Sequence, residues 1–468
     1  MSNGNVEHKE LKNTVVDGRE NVEYSTPITV TSQFYFCGIP FRVDTYRGCS
    51  HMCKYCFANS RKSGTGFGDD FKPACAKIEF FEKLFKKAFS TDREYADVNV
   101  EFLRHRVPLH LGGMSDPAQH RERKIGITYK LLKLLKDYDY PVAISTKNKL
   151  IAEDKYFGLI GDMKAMLQVS IINDQNIPDM EPGASTIEER FQVVKQANQS
   201  GIPAHIRLQP FIPGYADIDE YVRKVADAEC PFLTIEHLKL PLDYSLIGQI
   251  SKVLGYDVKK QMKEWAGSGG LKAYGREFEL PPIAKYNFLL KKGGLVDKLH
   301  KNGIKYGAAD NQLHQYNDSA CCCGVDLYKG FENYFKANYT HLMATHKNQK
   351  KFTFDDLLAD HWMPKVDIND NMNRSMRWNE NNKARYMSGH VEKKPIYKPS
   401  DLVPNKIYYH LRNKWHNPDL NDSPTDLYLV DYEKTNKKFV DKVSKKETDI
   451  DEIVYTRKEK QKGVDEWL

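Results

Sequence analysis

Three cysteines on one short segment are the strongest chemical signal in this sequence. The segment TYRGCSHMCKYCFAN places Cys49, Cys53 and Cys56 at C-x3-C-x2-C spacing. Three thiolates at this spacing can bind three irons of a [4Fe-4S] cluster and leave the fourth iron open to a substrate or cofactor. Zinc is the alternative, but a zinc site would need a second C-x2-C or Cys/His pair at finger-like spacing. We therefore predict an iron–sulfur site with one open coordination position.

The segments that must position this loop alternate in type along the chain. From about residue 107 to 310, short strand-like runs alternate with amphipathic segments of helix length, which predicts βα units and a parallel sheet. One helix is predicted to begin at a capping box of Ser185 and Glu188, with Ile187, Phe191 and Val194 on its apolar face. The candidate strands are 107–113, 141–147, 165–171, 202–210, 232–238 and 303–310.

Several of these strands carry one polar face. In the strand 202–210, apolar residues at even positions alternate with Pro203, His205, Arg207 and Gln209. Fully covered parallel strands are usually apolar on both faces, so a polar face that points inward predicts a lined cavity. The same alternation places Ser145 with Lys147, Gln168 with Ser170, and Thr234 with Glu236 on shared faces.

Together these motifs resemble the radical S-adenosylmethionine (radical SAM) enzymes, and the context of the cysteine loop is similar to their spore photoproduct lyase-like branch. An aromatic residue, Tyr55, precedes the last cysteine, as that family prefers. Further matches follow in order: GGMSDP, STKN, VSI, EPGASTIEERF and PFIPG. The resemblance covers about residues 34 to 325. It implies an α/β fold, a partial (β/α)6 radical SAM barrel with a C-terminal extension, in which the cysteine loop follows the first strand.

The resemblance also implies how S-adenosylmethionine (SAM) is held. Lys147 is expected to pair with the SAM carboxylate, and Ser170 to bond its carboxylate or ribose, while Gly112 and Gly113 let the backbone approach the SAM amine. The residue after these glycines is Met114 rather than the family's acid, and Ser115 or Asp116 is the expected substitute. The full set of expected cofactor-binding residues is Tyr55, Gly112, Gly113, Asp116, Ser145, Lys147, Ser170 and Arg207.

A second cysteine group, Cys321, Cys322 and Cys323, follows the last candidate strand. Adjacent side chains of an extended chain point to opposite faces, so three in a row rarely bind one metal together. Three interpretations stay open. The group contributes to a second metal site near Cys321 with His314 or Cys37, or it is catalytic and donates a hydrogen atom to a substrate radical, or it packs the end of the barrel.

Composition limits the class of protein. The chain has 468 residues, of which 40% are hydrophobic and 28% charged, with a formal charge of +7. These values are typical of a globular chain and exclude a collagen-like or wholly disordered one. The sequence has neither a run of about 18 apolar residues nor an apolar segment within residues 1 to 23, so we expect a cytoplasmic protein that makes no membrane contact.

We predict three regions: a flexible leader at 1–30, the barrel at 31–325, and a basic, aromatic extension or small module at 326–468. Residues 361 to 418 hold eleven Lys/Arg against five acids, interleaved with aromatic residues. Such a stretch favours DNA or RNA as substrate, because cations contact phosphates and aromatics stack on bases. A peptide or small metabolite is the alternative substrate, and a non-catalytic iron–sulfur protein is the second alternative. A radical SAM enzyme also implies an electron donor such as flavodoxin or ferredoxin.

Overall fold

The structure is a computed structural model. It describes residues 15–16, 19–20, 22–24, 27–31, 36–60, 74–93, 95, 97–241, 244–267, 271–274, 277–345, 351–352, 361–362, 364 and 427–428. The basic stretch predicted at 361–418 lies almost entirely outside these residues, as does most of the predicted extension at 326–468.

One eight-stranded sheet forms the centre of the molecule. Its strands are β1 (Ile28–Val30), β2 (Phe41–Val43), β3 (Leu109–Leu111), β4 (Val142–Thr146), β5 (Ala165–Ser170), β6 (Ala204–Phe211), β7 (Phe232–His237) and β8 (Lys305–Ala308). They lie side by side in chain order, and only β1 runs antiparallel to its neighbour. Within the described chain no pairing joins β8 to β1, so the sheet stays open as a partial barrel does.

Helices lie between the parallel strands in the chain, and the last helix follows β8. They are α1 (Ile78–Phe89), α2 (Val98–Arg104), α3 (Glu122–Ile125), α4 (Ile127–Asp137), α5 (Asp154–Gly161), α6 (Ile187–Gln199), α7 (Ile218–Asp227), α8 (Tyr244–Leu254), α9 (Val258–Ala266), α10 (Pro282–Leu289), α11 (Leu295–Lys301) and α12 (Tyr339–Thr345). The outward side chains of the strands pack against these helices and form the main apolar core.

The predicted α/β architecture is confirmed. Each of the six candidate strands overlaps one strand of the sheet, β3 to β8, and β2 comes before the cysteine loop as expected. The helix predicted from Ser185 is also present, and Ile187, Phe191 and Val194 are buried. Its capping box is one residue later than predicted, at Thr186 and Glu189, because the Ser185 hydroxyl instead accepts the Lys149 N–H.

Four described strands fall inside the predicted flexible leader. Val15–Val16 pairs with Arg19–Glu20, Val22–Tyr24 pairs with Ala74–Ala76, and β1 extends the central sheet. The other short strands are Tyr46–Arg47, Leu240–Pro241, Lys272–Tyr274, Glu277–Glu279, Lys351–Phe352 and Leu427–Tyr428.

Candidate active site

The cysteine loop lies at the carboxyl end of the parallel sheet. It leaves β2 at Asp44, and the segments that follow β3, β4 and β5 contact it. Polar groups of open α/β sheets meet at this end, so it is the expected place for a cofactor site. The loop turns tightly between its second and third cysteines, where the Cys56 N–H donates to the Cys53 carbonyl at 3.2 Å.

A buried amide joins the loop to the turn after β3. Gln119 is fully buried, and its Oε1 accepts the Ser50 N–H at 2.9 Å. Its Nε2 donates to the Gly48 carbonyl at 3.1 Å. One side chain therefore fixes the backbone on both sides of Cys49.

The segment after β5 approaches the loop from the other side. The Gly183 N–H donates to the His51 carbonyl at 3.0 Å, and the Lys54 N–H donates to the Met180 carbonyl at 3.0 Å. A Cβ at Gly183 would lie only 2.1 Å from the Ser50 carbonyl oxygen. Glycine is therefore required here by the closeness of two backbones, and this contact fixes the loop around Cys53.

The three thiols lie close enough to influence one another. Burial, with the Asp116 carboxylate and Cys56 adding to the shift, raises the pKa of Cys49 to about 12. Burial also raises the pKa of Cys53 well above its ordinary value, with Glu181 adding to the shift and Lys147 opposing it. A bound cationic iron centre would supply the positive charge that thiolates need at such a site, so the donor set fits the predicted cluster.

Across the described residues, no three His, Cys, Asp or Glu side chains are arranged to hold a single metal ion. A [4Fe-4S] cluster differs from one ion because each cysteine binds its own iron, so its ligands need not converge on one point. The described cysteines also form no disulfide bonds.

Lys147 lies beside the loop, next to a buried glutamate. Its Nζ is 3.3 Å from Glu181 Oε1 and 5.5 Å from the centre of the Tyr55 ring. Tyr55 also donates its hydroxyl to Glu181, and Arg190 pairs with the same carboxylate. Burial would raise the pKa of Glu181, but Arg190 and Lys147 lower it to about 2. The Lys147 side chain remains 16% exposed, so its ammonium can still reach an anion in the mouth of the barrel.

Asp116 organises the backbone rather than standing open to a ligand. Its Oδ1 accepts from the Thr146 hydroxyl and the Ala118 N–H, both at 2.8 Å. Its Oδ2 accepts the Lys147 N–H at 2.6 Å and lies 3.0 Å from His51 Nε2. Burial would raise the pKa of Asp116, but His51 and these N–H donors lower it below its ordinary value. Asp116 thus ties the cysteine loop to the end of β4.

The Gly112–Gly113 turn also approaches β4 closely. Gly112 has a φ of +93°, and a Cβ there would lie 2.5 Å from the Ser145 carbonyl oxygen. The acid nearest this turn is Asp44, whose Oδ1 accepts the N–H groups of Met114 at 2.7 Å and Ser115 at 3.1 Å. Asp44 directly follows β2, so it supplies an acid next to the turn where the sequence has Met114.

The predicted polar inner face is present and continuous. Ser145 Oγ lies 2.7 Å from His110 Nε2 and donates to Gln168 Oε1 at 3.2 Å. Arg207 Nη1 donates to the same two side chains, at 3.2 Å to Ser145 and 2.6 Å to Gln168. Ser145 and Arg207 therefore lie deeper than Lys147. Ser170 ends β5, and its carbonyl accepts from Arg190 Nη1 at 2.8 Å.

Cys321, Cys322 and Cys323 lie at the opposite end of the sheet. Cys321 and Cys323 pack with Ala143 and Met166, near the starts of β4 and β5. The Cys323 carbonyl lies 3.1 Å from His205 Nδ1, and the Cys322 carbonyl accepts the Thr234 hydroxyl at 3.1 Å. This segment therefore closes the amino end of the barrel interior.

The cysteine triplet forms a turn rather than an extended segment, because the Gly324 N–H donates to the Cys321 carbonyl at 2.8 Å. Cys321 Sγ lies 3.1 Å from Cys323 Sγ. Hydrogen bonds from Cys321 and Cys322 lower the pKa of Cys323, and the charge of Arg207 adds to the effect.

The candidate ligands of the second metal site do not form one donor set. Cys37 packs against the cluster that contains Cys321 and Cys323, whereas His314 Nδ1 is 2.6 Å from the Thr340 hydroxyl. Since the described residues offer no group of three metal donors, the hypothesis of a second metal site near Cys321 has no support.

Sequence reasoning missed four residues of this site: Asp44, Gln119, Glu181 and Gly183. Glu181 and Gly183 lie in the EPGAS motif, so their segment carries a signal in the sequence. Gln119 offered none, because its partners lie 69 and 71 residues away.

No family model matches the sequence. Curated relatives are uncharacterized proteins. One from Mycobacterium tuberculosis is 27% identical over 218 residues, which cover 43% of this chain and 60% of that protein. One from Methanocaldococcus jannaschii is 23% identical over 186 residues, which cover 40% of this chain and 65% of that protein. The chain thus spans less than two thirds of the length of these relatives.

Solved structures that match this chain include spore photoproduct lyase. A mutant with bound AdoMet and dinucleoside spore photoproduct is 12% identical, with a TM-score of 0.38, and the match covers 60% of this chain and 76% of that one. Streptococcus suis SuiB, bound to the precursor peptide SuiA, is 11% identical with a TM-score of 0.29. The match covers 47% of this chain and 39% of SuiB. At these identities and TM-scores, the matches carry no inference about the reaction.

None of the described helices combines the length and the apolar character that crossing a bilayer requires.

Proposed function

We propose that this chain is a radical SAM enzyme whose cluster is held by Cys49, Cys53 and Cys56. The observation that carries the proposal is the position of the C-x3-C-x2-C loop, at the carboxyl end of a parallel sheet and beside the ammonium of Lys147. A [4Fe-4S] cluster bound there would supply an electron that cleaves SAM reductively to a 5′-deoxyadenosyl radical, which abstracts a hydrogen from substrate.

The chain's own residues orient the cofactor. Lys147 offers a positive charge to a carboxylate at the mouth of the barrel, and Glu181 fixes its position by pairing with it. Asp116 accepts the Lys147 N–H and so holds the end of β4 against the cysteine loop. The deep polar face below these residues would receive the substrate, where the surrounding sheet excludes bulk water.

SAM cleavage tests the proposal directly. The chain is reconstituted anaerobically with iron and sulfide, reduced with dithionite and mixed with SAM, and 5′-deoxyadenosine is measured. We expect about four irons per chain and formation of 5′-deoxyadenosine. Cys53→Ala should lose both, whereas Cys230→Ala, a change of another buried cysteine outside the loop, should keep both. A protein that holds the iron–sulfur cluster but never cleaves SAM would refute the proposed enzyme activity. The alternative of a non-catalytic iron–sulfur protein would then remain.

The substrate is proposed separately. The basic, aromatic stretch at 361–418 supports DNA or RNA, for repair or modification, and a peptide or small metabolite is the alternative. Binding of single-stranded oligonucleotides at moderate salt, measured by fluorescence anisotropy, tests this choice. Loss of binding after neutralisation of lysines in the stretch would support a nucleic acid, and no binding by the full chain would favour the alternative. A cytoplasmic location and an electron donor such as flavodoxin or ferredoxin belong to the same proposal.

A further inference from the structure

Two arginines lie on the inner face of the sheet, Arg42 on β2 and Arg207 on β6. Among the residues that the structure describes, neither has a carboxylate oxygen within ion-pair distance, and Asp44 acts on Arg42 only from farther away. Arg207 instead donates to neutral oxygens of Ser145, Gln168 and Gln209. Buried or half-buried guanidinium groups usually pair with an anion.

Three buried polar atoms nearby also have no hydrogen-bond partner within the described chain: Arg42 Nε, His110 Nδ1 and Gln168 Nε2. His110 is 5% exposed and Gln168 is 1% exposed. Arg42 lies opposite His110 in the strand register, and Ser145 bonds both His110 and Gln168. These unsatisfied atoms therefore belong to one continuous site, and buried groups of this kind ordinarily have partners.

The local charge is positive. Burial lowers the pKa of His110, and Arg42 and Arg207 lower it further, so the imidazole is neutral between two cations. The nearest acids are already engaged: Asp44 accepts the N–H groups of Met114 and Ser115, and Glu236 pairs with Gln209 and Lys239.

We propose that Arg42, His110, Gln168 and Arg207, here called the inner basic patch, bind an anionic group of the substrate, a carboxylate or a phosphate. Guanidinium groups match the oxygens of either anion in paired hydrogen bonds. The assignment to substrate rests on the proposed function, because Ser145 lies two residues, about 7 Å, before Lys147 along the strand. A substrate anchored at the patch would extend toward the cysteine loop.

Anion binding by the full chain without cluster tests the proposal. Inorganic phosphate and acetate are titrated separately at low chloride, and binding is measured by isothermal titration calorimetry. We expect saturable binding of at least one anion. Arg42→Gln and Arg207→Gln should each weaken it about tenfold or more, and Arg207→Lys should recover part of the loss. Arg223→Gln, which removes an exposed arginine of α7, should leave the affinity unchanged. Stronger binding of phosphate indicates a phosphate-bearing substrate, and stronger binding of acetate indicates a carboxylate.

Two results would overturn the inference. One is wild-type protein that binds neither anion saturably, a result that does not depend on whether the variants fold. The other is displacement of the anion by SAM, one for one, which would assign the patch to the cofactor. The two proposals fail separately: anion binding without SAM cleavage refutes the proposed function alone, and SAM cleavage without anion binding refutes the inner basic patch alone.

Discussion

Gly183→Ala is expected to displace the cysteine loop. The added Cβ would lie 2.1 Å from the Ser50 carbonyl oxygen and 2.7 Å from His51 Cα. Ordinary contact begins at 3.4 Å, so the two backbones must separate by about 1.3 Å. Both are main-chain atoms, and no side-chain rotation relieves the clash. The movement would also lengthen the 3.0 Å hydrogen bond from the Gly183 N–H to the His51 carbonyl.

The clash and the lengthened hydrogen bond both lower the stability of the fold. Overpacking of this kind costs about 1–3 kcal/mol, and loss of the hydrogen bond adds about 1 kcal/mol. We therefore expect the free energy of unfolding to fall by about 2–4 kcal/mol, measured by urea denaturation. Iron and sulfide bound after anaerobic reconstitution should fall as well, because the displaced segment lies between Cys49 and Cys53.

Gly158→Ala is the matched control. Gly158 lies in α5 with no atom within 4 Å of an added Cβ, so this change should raise stability by about 0.5–1 kcal/mol and leave iron content unchanged. Wild-type iron content and stability in Gly183→Ala would show that this close approach does not hold the loop.

The remaining predictions concern charged groups. Lys285 is fully buried between Glu279 and Asp310, so Lys285→Ala should cost about 3–5 kcal/mol in urea denaturation, whereas the exposed Lys260→Ala should change stability by less than about 0.5 kcal/mol. Burial would raise the pKa of Asp310 and Glu279, but Lys285 lowers both pKa values. The two ionised carboxylates therefore stabilise the folded state above their unfolded pKa values. This stabilisation is lost as the pH falls through their folded pKa values. In Lys285→Ala the two carboxylates can take up protons at a higher pH than in wild type. The difference in free energy of unfolding between variant and wild type should therefore narrow between pH 7 and pH 4. A constant difference would contradict the pairing of Lys285 with Asp310 and Glu279. Lys147→Met should weaken SAM binding about tenfold or more in equilibrium dialysis, and unchanged affinity would exclude its contact with the SAM carboxylate.

The fold was predictable because its signals are local. Strand alternation has a period of two residues, so a few letters sufficed to assign His205, Arg207 and Gln209 to one polar face. The cysteine spacing is equally local. The same reasoning placed a capping box at Ser185, and only the contact of Ser185 with Lys149, which is distant in the chain, moved the cap to Thr186.

What escaped prediction depends on contacts between distant segments. Tyr55 and Glu181 are 126 residues apart, and no pattern within either segment indicates that they bond. Arg42 lies on a strand of only three residues, which is too short to show alternation. Its position beside His110 follows only from the pairing of β2 with β3, which the sequence pattern does not give. The turn through the cysteine triplet likewise needed the Cys322 and Cys323 carbonyls to bond Thr234 and His205.

The two cysteine groups lie at opposite ends of the same strands, and this separation constrains what the triplet can do. Ala143, which contacts the triplet, and Lys147, beside the cysteine loop, are four residues apart on β4, or about 13 Å along the strand. Cys321 and Cys323 are buried, and Cys322 is half-buried. A hydrogen-atom donor must face the substrate radical, so a donor from this group would have to act on a substrate that reaches the full depth of the interior. The inner basic patch lies between the two ends. A substrate anchored there by its anionic group would separate the loop from the triplet, and in that arrangement only Cys322 retains the exposure that a donor requires.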